Sequence, residues 1–166
     1  MTTKILKNEL LFHAVHGLCR VAEITKKTKD VDAACALRPV SQSRSKARFT
    51  VPLDLLESSG FNRMVSSKDA LEILEYLKTG KKKESAVGNA WTLAVTLRAE
   101  ARSKDISKDK RKGQQLNSLV KSLTNELSIV LPATVPETLE KMQESLAPVS
   151  KINPLILAAF SNVDSL

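Results

Sequence analysis

His13, His16, Cys19 and Cys35 are of the residue types zinc prefers, and four such ligands can close a structural site. Their spacing matches no zinc finger or ribbon, and alternation along strands would send several of them to opposite faces. They read instead as two small core cysteines and two histidines at a strand end and a turn, so no metal is expected. Among the five glycines there is no dinucleotide fingerprint and no Gly-Lys-Ser/Thr phosphate loop. The carboxylates are scattered beside basic neighbours, as on ordinary solvated helices, and nothing pairs them for acid–base work. No enzymatic activity, cofactor or small-molecule substrate is expected.

Charge is the second chemical signal. A formal net charge of +8 and a pI near 9.6 favour an anionic partner. Lys26, Lys27, Lys29, Arg38, Arg44, Lys46 and Arg48 form one basic group. Lys81 to Lys83, Arg98, Arg102, Lys104, Lys108, Lys110, Arg111 and Lys112 form a second, the better DNA candidate, because helix starts and hinges can neutralise phosphates without reading bases. The plainer reading is that these residues only solvate helix ends. An aromatic content of 4% argues against a single-strand binder, which needs several stacking rings.

The elements that must position these residues change character along Phe49–Val65. Before it lie short β-like runs: NELLFHA, then a turn at His16-Gly17, LCRVAEITKK, AACALRPV and ARFTV. Pro39 should make the third run an edge or end it early, and Pro52 should end the fourth or confine it to a sheet edge. Leu53, Leu55 and Leu56 make an apolar turn that Gly60 and Asn62 terminate. Beyond it the period is helical, with Ser66 or Ser67 capping a helix of Ala70, Leu71, Leu74 and Leu77 that stops at Gly80. A second helix is predicted from about Glu84 to Ser103, carrying Val87 and Trp91 on apolar faces. Ser107 caps a third, with Leu116, Leu119, Val120, Leu123 and Leu127 as its stripe. Pro136 opens a fourth, and Asn153-Pro154 a last short one. With 42% apolar residues the chain can fill a core. Two cysteines make no disulfide scaffold, Glu9, His13 and His16 break any leader-like apolar run, and Leu155–Phe160 is too short to span a bilayer. A cytoplasmic protein is the expectation.

In this order the segments resemble the CarD/CdnL family of bacterial transcription regulators, whose N-terminal module is shared with transcription-repair coupling factor. HAVHGLCRVAEI is similar to the family's Tyr-Pro-x-His-Gly turn and following strand, with His16 and Gly17 retained. FTVPLDLLESSGFNRMVS is similar to its Val-Pro segment through Val51, Pro52 and Gly60. LRAEARSKDISKDKRKGQQLNSLVKSLTNELSIVL resembles its pair of late helices, with Ile106-Ser107 at the helix start and Glu126-Leu127 near the end. The chain differs at His13-Ala14, where the family has Tyr-Pro, and at Asn8-Glu9, where it has Gly-Asp. The family's Asn-Trp-Ser-Arg-Arg wedge motif has no counterpart, and Trp91 aligns with a core position.

The resemblance implies an α+β protein. A small Tudor-like β-barrel over residues 1–64 would bind the β subunit of RNA polymerase, and a bundle of four or five helices over residues 65–166 would contact promoter DNA non-specifically to modulate initiation. The family's two polymerase-contacting arginines fall on Lys27 and Thr50, with Arg48 as the nearest substitute for the second. Strand addition along Val51-Pro52, with Lys27, Arg48 and Thr50 near the contact, is the expected mode. Lys81, Lys82, Lys83, Arg98 and Arg102 are expected to face promoter phosphates. The rival reading of the same charge is a sequence-non-specific DNA-binding protein that needs no polymerase.

Overall fold

Cys19, Val21 and Val51 alternate with more exposed residues along their strands, and together with Leu11, Cys35, Leu37, Leu56 and Phe61 they form one buried apolar face, while Phe12 and Ala36, of the opposite parity in β1 and β3, are buried as well. That face organises the first of two compact units, which divide between Met64 and Val65. The computed structural model describes residues 4–40, 47–104, 109–149 and 151–164; Arg44, Lys46, Ile106, Ser107 and Lys108 lie outside the described residues.

The first unit is a five-stranded antiparallel sheet of β1 (Leu10–His13), β2 (Gly17–Thr25), β3 (Ala34–Pro39), β4 (Phe49–Pro52) and β5 (Asn62–Arg63), in the order β4-β3-β2-β1-β5. The sheet is open, not the closed barrel expected from the sequence, because β4 and β5 share no ladder among the described residues. Pro52 ends β4, and a 3₁₀ turn over Leu53–Leu55 carries the chain away before it returns as β5. The sheet nevertheless curls, since Phe49 on one edge strand and Phe61 beside the other come within 6.1 Å between ring centroids. A bulge between Val21 and Glu23 adds to the local twist. Two-residue β5 has no signature in the sequence, being too short and too polar to alternate. Pro39 is the last residue of β3 and sits opposite Cys19, so a central strand accommodates it by ending there.

The second unit holds α1 (Ser67–Thr79), α2 (Asn89–Arg102), α3 (Lys110–Val130), α4 (Val135–Leu146) and α5 (Pro154–Asp164). The chain is thus α+β, with a five-stranded sheet followed by five helices among the described residues. Ser66 caps α1 by accepting from the Asp69 N–H, as the sequence suggests. The predicted start of α2 at Glu84 moves to Asn89, because Gly88 stands at the N-cap with φ 118° and interrupts the helix. Val87 is consequently 77% exposed in the preceding loop, and Leu71, placed on the inner stripe of α1 by its apolarity, faces solvent at 60% exposure. Asp109 is the N-cap of α3, accepting from the Arg111 N–H, and the expected cap Ser107 is outside the described residues. Pro136 is the second rather than the first residue of α4, since Thr134 and Glu137 close a reciprocal capping box around it. Leu116, Val120, Leu123 and Leu127 of α3 are buried and Leu119 half-buried, packing with Trp91, Met142, Ile156 and Phe160 in the helical core. Buried Asn153 ties α2 to α5: its N–H donates to the Ala101 carbonyl, its amide to the Ser103 carbonyl, and its side-chain oxygen accepts from Leu155. Among the described residues no helix is long and apolar enough to cross a membrane.

Candidate functional site

The free edge of β4 is built by its register. Leu53 donates its N–H to the Ala33 carbonyl, and the pairs Val51–Cys35 and Phe49–Leu37 continue that alternation. In an antiparallel ladder every second residue bonds inward, so the N–H and C=O of Thr50 point away from β3. Pro52 contributes only a carbonyl to that edge. The Thr50 side chain is exposed and Val51 is buried, so the strand offers backbone to a partner while anchoring itself in the core.

Arg48 precedes β4 and pairs with Glu23 of β2 at 2.8 Å, both side chains well exposed. Lys27 pairs loosely with Asp32 at 3.6 Å, in the loop after β2. Thr25, Ala34 and Pro52 lie in one row of the ladders, which puts Lys27 toward the Pro52 end of β4 and Arg48 at the other. Arg48 and Thr50 thus lie at the β4 edge, whereas Lys27 follows β2, two strands in from it.

A histidine cluster, unrecognised in the sequence as a unit, lies on the same unit. His13 Nδ1 accepts from the N–H groups of Val15 (3.0 Å) and His16 (3.2 Å), so its proton resides on Nε2, which donates to the Ser59 carbonyl at 3.1 Å. The ring stacks on His16 at 4.5 Å and touches Phe61 at 4.7 Å, and His16 lies 4.2 Å from Phe49 of β4. Burial, then the neighbouring His16, holds the His13 pKa below the ordinary histidine value, against the opposing effect of the Ser59 carbonyl. Gly60 makes this approach possible: its φ is +88°, and a Cβ there would stand 2.9 Å from His13 Nε2. The paired signals are His16-Gly17 and Gly60, but nothing in their spacing shows that they meet. Among the described residues no group of three or more His, Cys, Asp or Glu could hold a metal ion, and Cys19 and Cys35 are buried free thiols whose pKa values burial raises.

In the helical unit the five predicted DNA-facing cations are used unequally. Lys81 and Lys82 are exposed after the left-handed Gly80 cap of α1. Lys83 reaches back to Glu72 of α1. Arg98 is half-buried: its Nε donates to the Leu77 carbonyl at 3.2 Å and its guanidinium lies 6.0 Å from the Tyr76 ring centre, so it neutralises the C-terminal end of α1. A Cβ on Gly80 would come within 2.8 Å of the Arg98 guanidinium carbon, which places Lys81 beside Arg98. Arg102 is exposed one turn further along α2. Trp91 is buried, edge-on to Tyr76 at 5.9 Å.

No protein-family model and no curated protein matches the chain.

Proposed function

We propose that this protein is a regulator of transcription initiation that docks on the β subunit of RNA polymerase by adding a partner strand to the free edge of β4. Its helical unit would then lay Lys81, Lys82 and Arg102 against promoter phosphates. The observation that carries the reading is the β4 edge, where Thr50 presents an outward N–H and C=O beside Arg48 and next to a proline that limits further pairing. The resemblance of the His16-Gly17, Val51-Pro52 and Gly60 segments to the CarD/CdnL family supplies the partner, and the curled sheet would serve as its Tudor-like module. Arg98, occupied by the end of α1, would contribute charge rather than a direct contact.

Thr50→Pro tests this in the full-length chain. It deletes the outward N–H while leaving the inward bonds of Phe49 and Val51 in place. Retention on immobilised polymerase should fall at least about tenfold, as expected when backbone pairing carries strand addition, with the circular dichroism spectrum unchanged. Parent-like retention of the folded variant would reject strand addition at β4.

A further inference from the structure

Arg20 of β2 and Arg38 of β3 are directly opposite one another in the ladder, both exposed. Cys19, Val21 and Leu37 beside them belong to the core face, so the two arginines stand on the opposite face, where both are exposed. Carrying the Leu37–Phe49 register one step further sets Arg48 opposite Arg38, and the row then crosses three strands. Arg48 has Glu23 as its counter-charge, but neither Arg20 nor Arg38 makes an ion pair among the described residues. Like charges directly opposite on a sheet are unfavourable, so this pair disfavours the free protein and favours a state in which an anion lies between them.

We propose that this arginine row is a phosphate-backbone site, by which the outer face of the sheet itself binds duplex nucleic acid. The guanidinium fork matches phosphate oxygens two at a time, and a row of forks suits a ligand whose charges repeat. From Ala33 to Leu53 the sequence carries Arg38, Arg44, Lys46 and Arg48 and no acidic residue. Residues 1–64 hold eleven Lys and Arg against six Asp and Glu, a net +5, whereas residues 65–166 hold fifteen against twelve, a net +3. The charge is therefore concentrated in the smaller unit. A protein partner on this face would need an exposed apolar anchor, and little is offered: Leu10 opposite Arg20 and Leu18 are half-buried and Phe12 and Ala36 buried, while the exposed residues around Arg20 and Arg38 are Glu23, Thr25, Arg48 and Thr50, with Val40 beyond the end of β3. The site uses a sheet face rather than the β4 edge and requires no polymerase, so it stands or falls independently of strand capture.

The test is binding of a fluorescein-labelled 20-base-pair duplex to the full-length protein over a salt series, with no polymerase present. R20Q/R38Q should weaken binding by roughly tenfold at low salt and reduce the slope of log K against log salt by about 2, near 0.9 for each phosphate no longer neutralised. R38E should weaken it further, while its carboxylate facing Arg20 keeps the thermal midpoint at or above that of the parent. Unchanged affinity and slope in both variants would overturn the proposal. So would displacement of the duplex by polyglutamate at matched charge, which would assign the row to acidic protein segments. A lowered midpoint in both variants would also overturn it, by showing that the arginines hold the sheet together.

Discussion

Two single residues give the two units opposite responses to pH. His13 accepts two backbone N–H groups on Nδ1, and protonation turns that acceptor into a donor, so the β1–β2 turn is held only by the neutral ring. Its folded pKa lies below the unfolded value, so its contribution is present above pH ~6.5 and is lost as pH falls through the folded pKa. Glu126 of α3 is the reverse case. It is fully buried, Oε1 accepts from the Val65 N–H at 3.3 Å, Oε2 has no partner among the described residues, and burial raises its pKa to about 7. The protonated acid is favoured in the fold, so this stabilisation is complete below pH ~4.5 and is lost as pH rises through about 7, on the order of 3 kcal/mol at most. Amide exchange should show Val15 and His16 opening as pH falls through the lowered folded pKa of His13, and the helical core loosening as pH rises from 5 to 8. Glu126→Gln keeps the bond to Val65, and should raise stability at pH 8 by roughly 2 kcal/mol and flatten the upper limb. Denaturant melts at pH 5 and 8 decide it; a variant that retains the parent's pH dependence would exclude Glu126 as the cause.

At the scale of elements, helix ends and strand interiors are readable in the sequence where a side chain or a proline speaks locally. Ser66 and Gly80 mark the ends of α1 through bonds spanning three and four residues, and Pro52 ends β4 by lacking an N–H, whereas the Thr134–Glu137 box is missed when Pro136 is taken as the first residue of its helix. The features that are not readable depend on distant partners. Arg98 looks like a free cation in the sequence and becomes a cap for α1 only because α2 packs beside that helix's end. The openness of the sheet is equally hidden, since closure depends on whether β4 and β5 meet, and two-residue β5 leaves no pattern. Gly80→Ala combines a backbone φ of +74° with a Cβ within 2.8 Å of the Arg98 guanidinium. It should cost about 1–3 kcal/mol of unfolding free energy in a urea melt. Arg98→Ala in the same background should remove part of that cost by clearing the space, and strictly additive losses would show that Arg98 does not press on the cap.

For the whole molecule, the separation of charge between units sets what each can do alone. The helical unit carries a modest positive excess, and Lys83 and Arg98 are engaged within it. A contact made chiefly by Lys81, Lys82 and Arg102 would be weak on its own. Tethering through a docked β unit would place it at an effective concentration of ~mM. On the proposed function, replacing Lys81, Lys82 and Lys83 by Ala should leave polymerase retention intact while weakening any effect on promoter complexes and flattening its salt dependence. If the triple variant regulates transcription like the parent at each salt concentration, these lysines only solvate the loop.

The Asn153 staple has a consequence for synthesis on the ribosome. The Ala101 and Ser103 carbonyls that it satisfies, and the core places filled by Ile156, Ala159 and Phe160, stay open until the residues of α5 have emerged. The β unit has all its strands within the first 64 residues, so it can pair while roughly 5–20 s of translation still separate the helical unit from its last element. During that interval the nascent chain would present a finished sheet ahead of an unfinished helical core, and chaperone contacts should concentrate on α2 and α3 until α5 arrives.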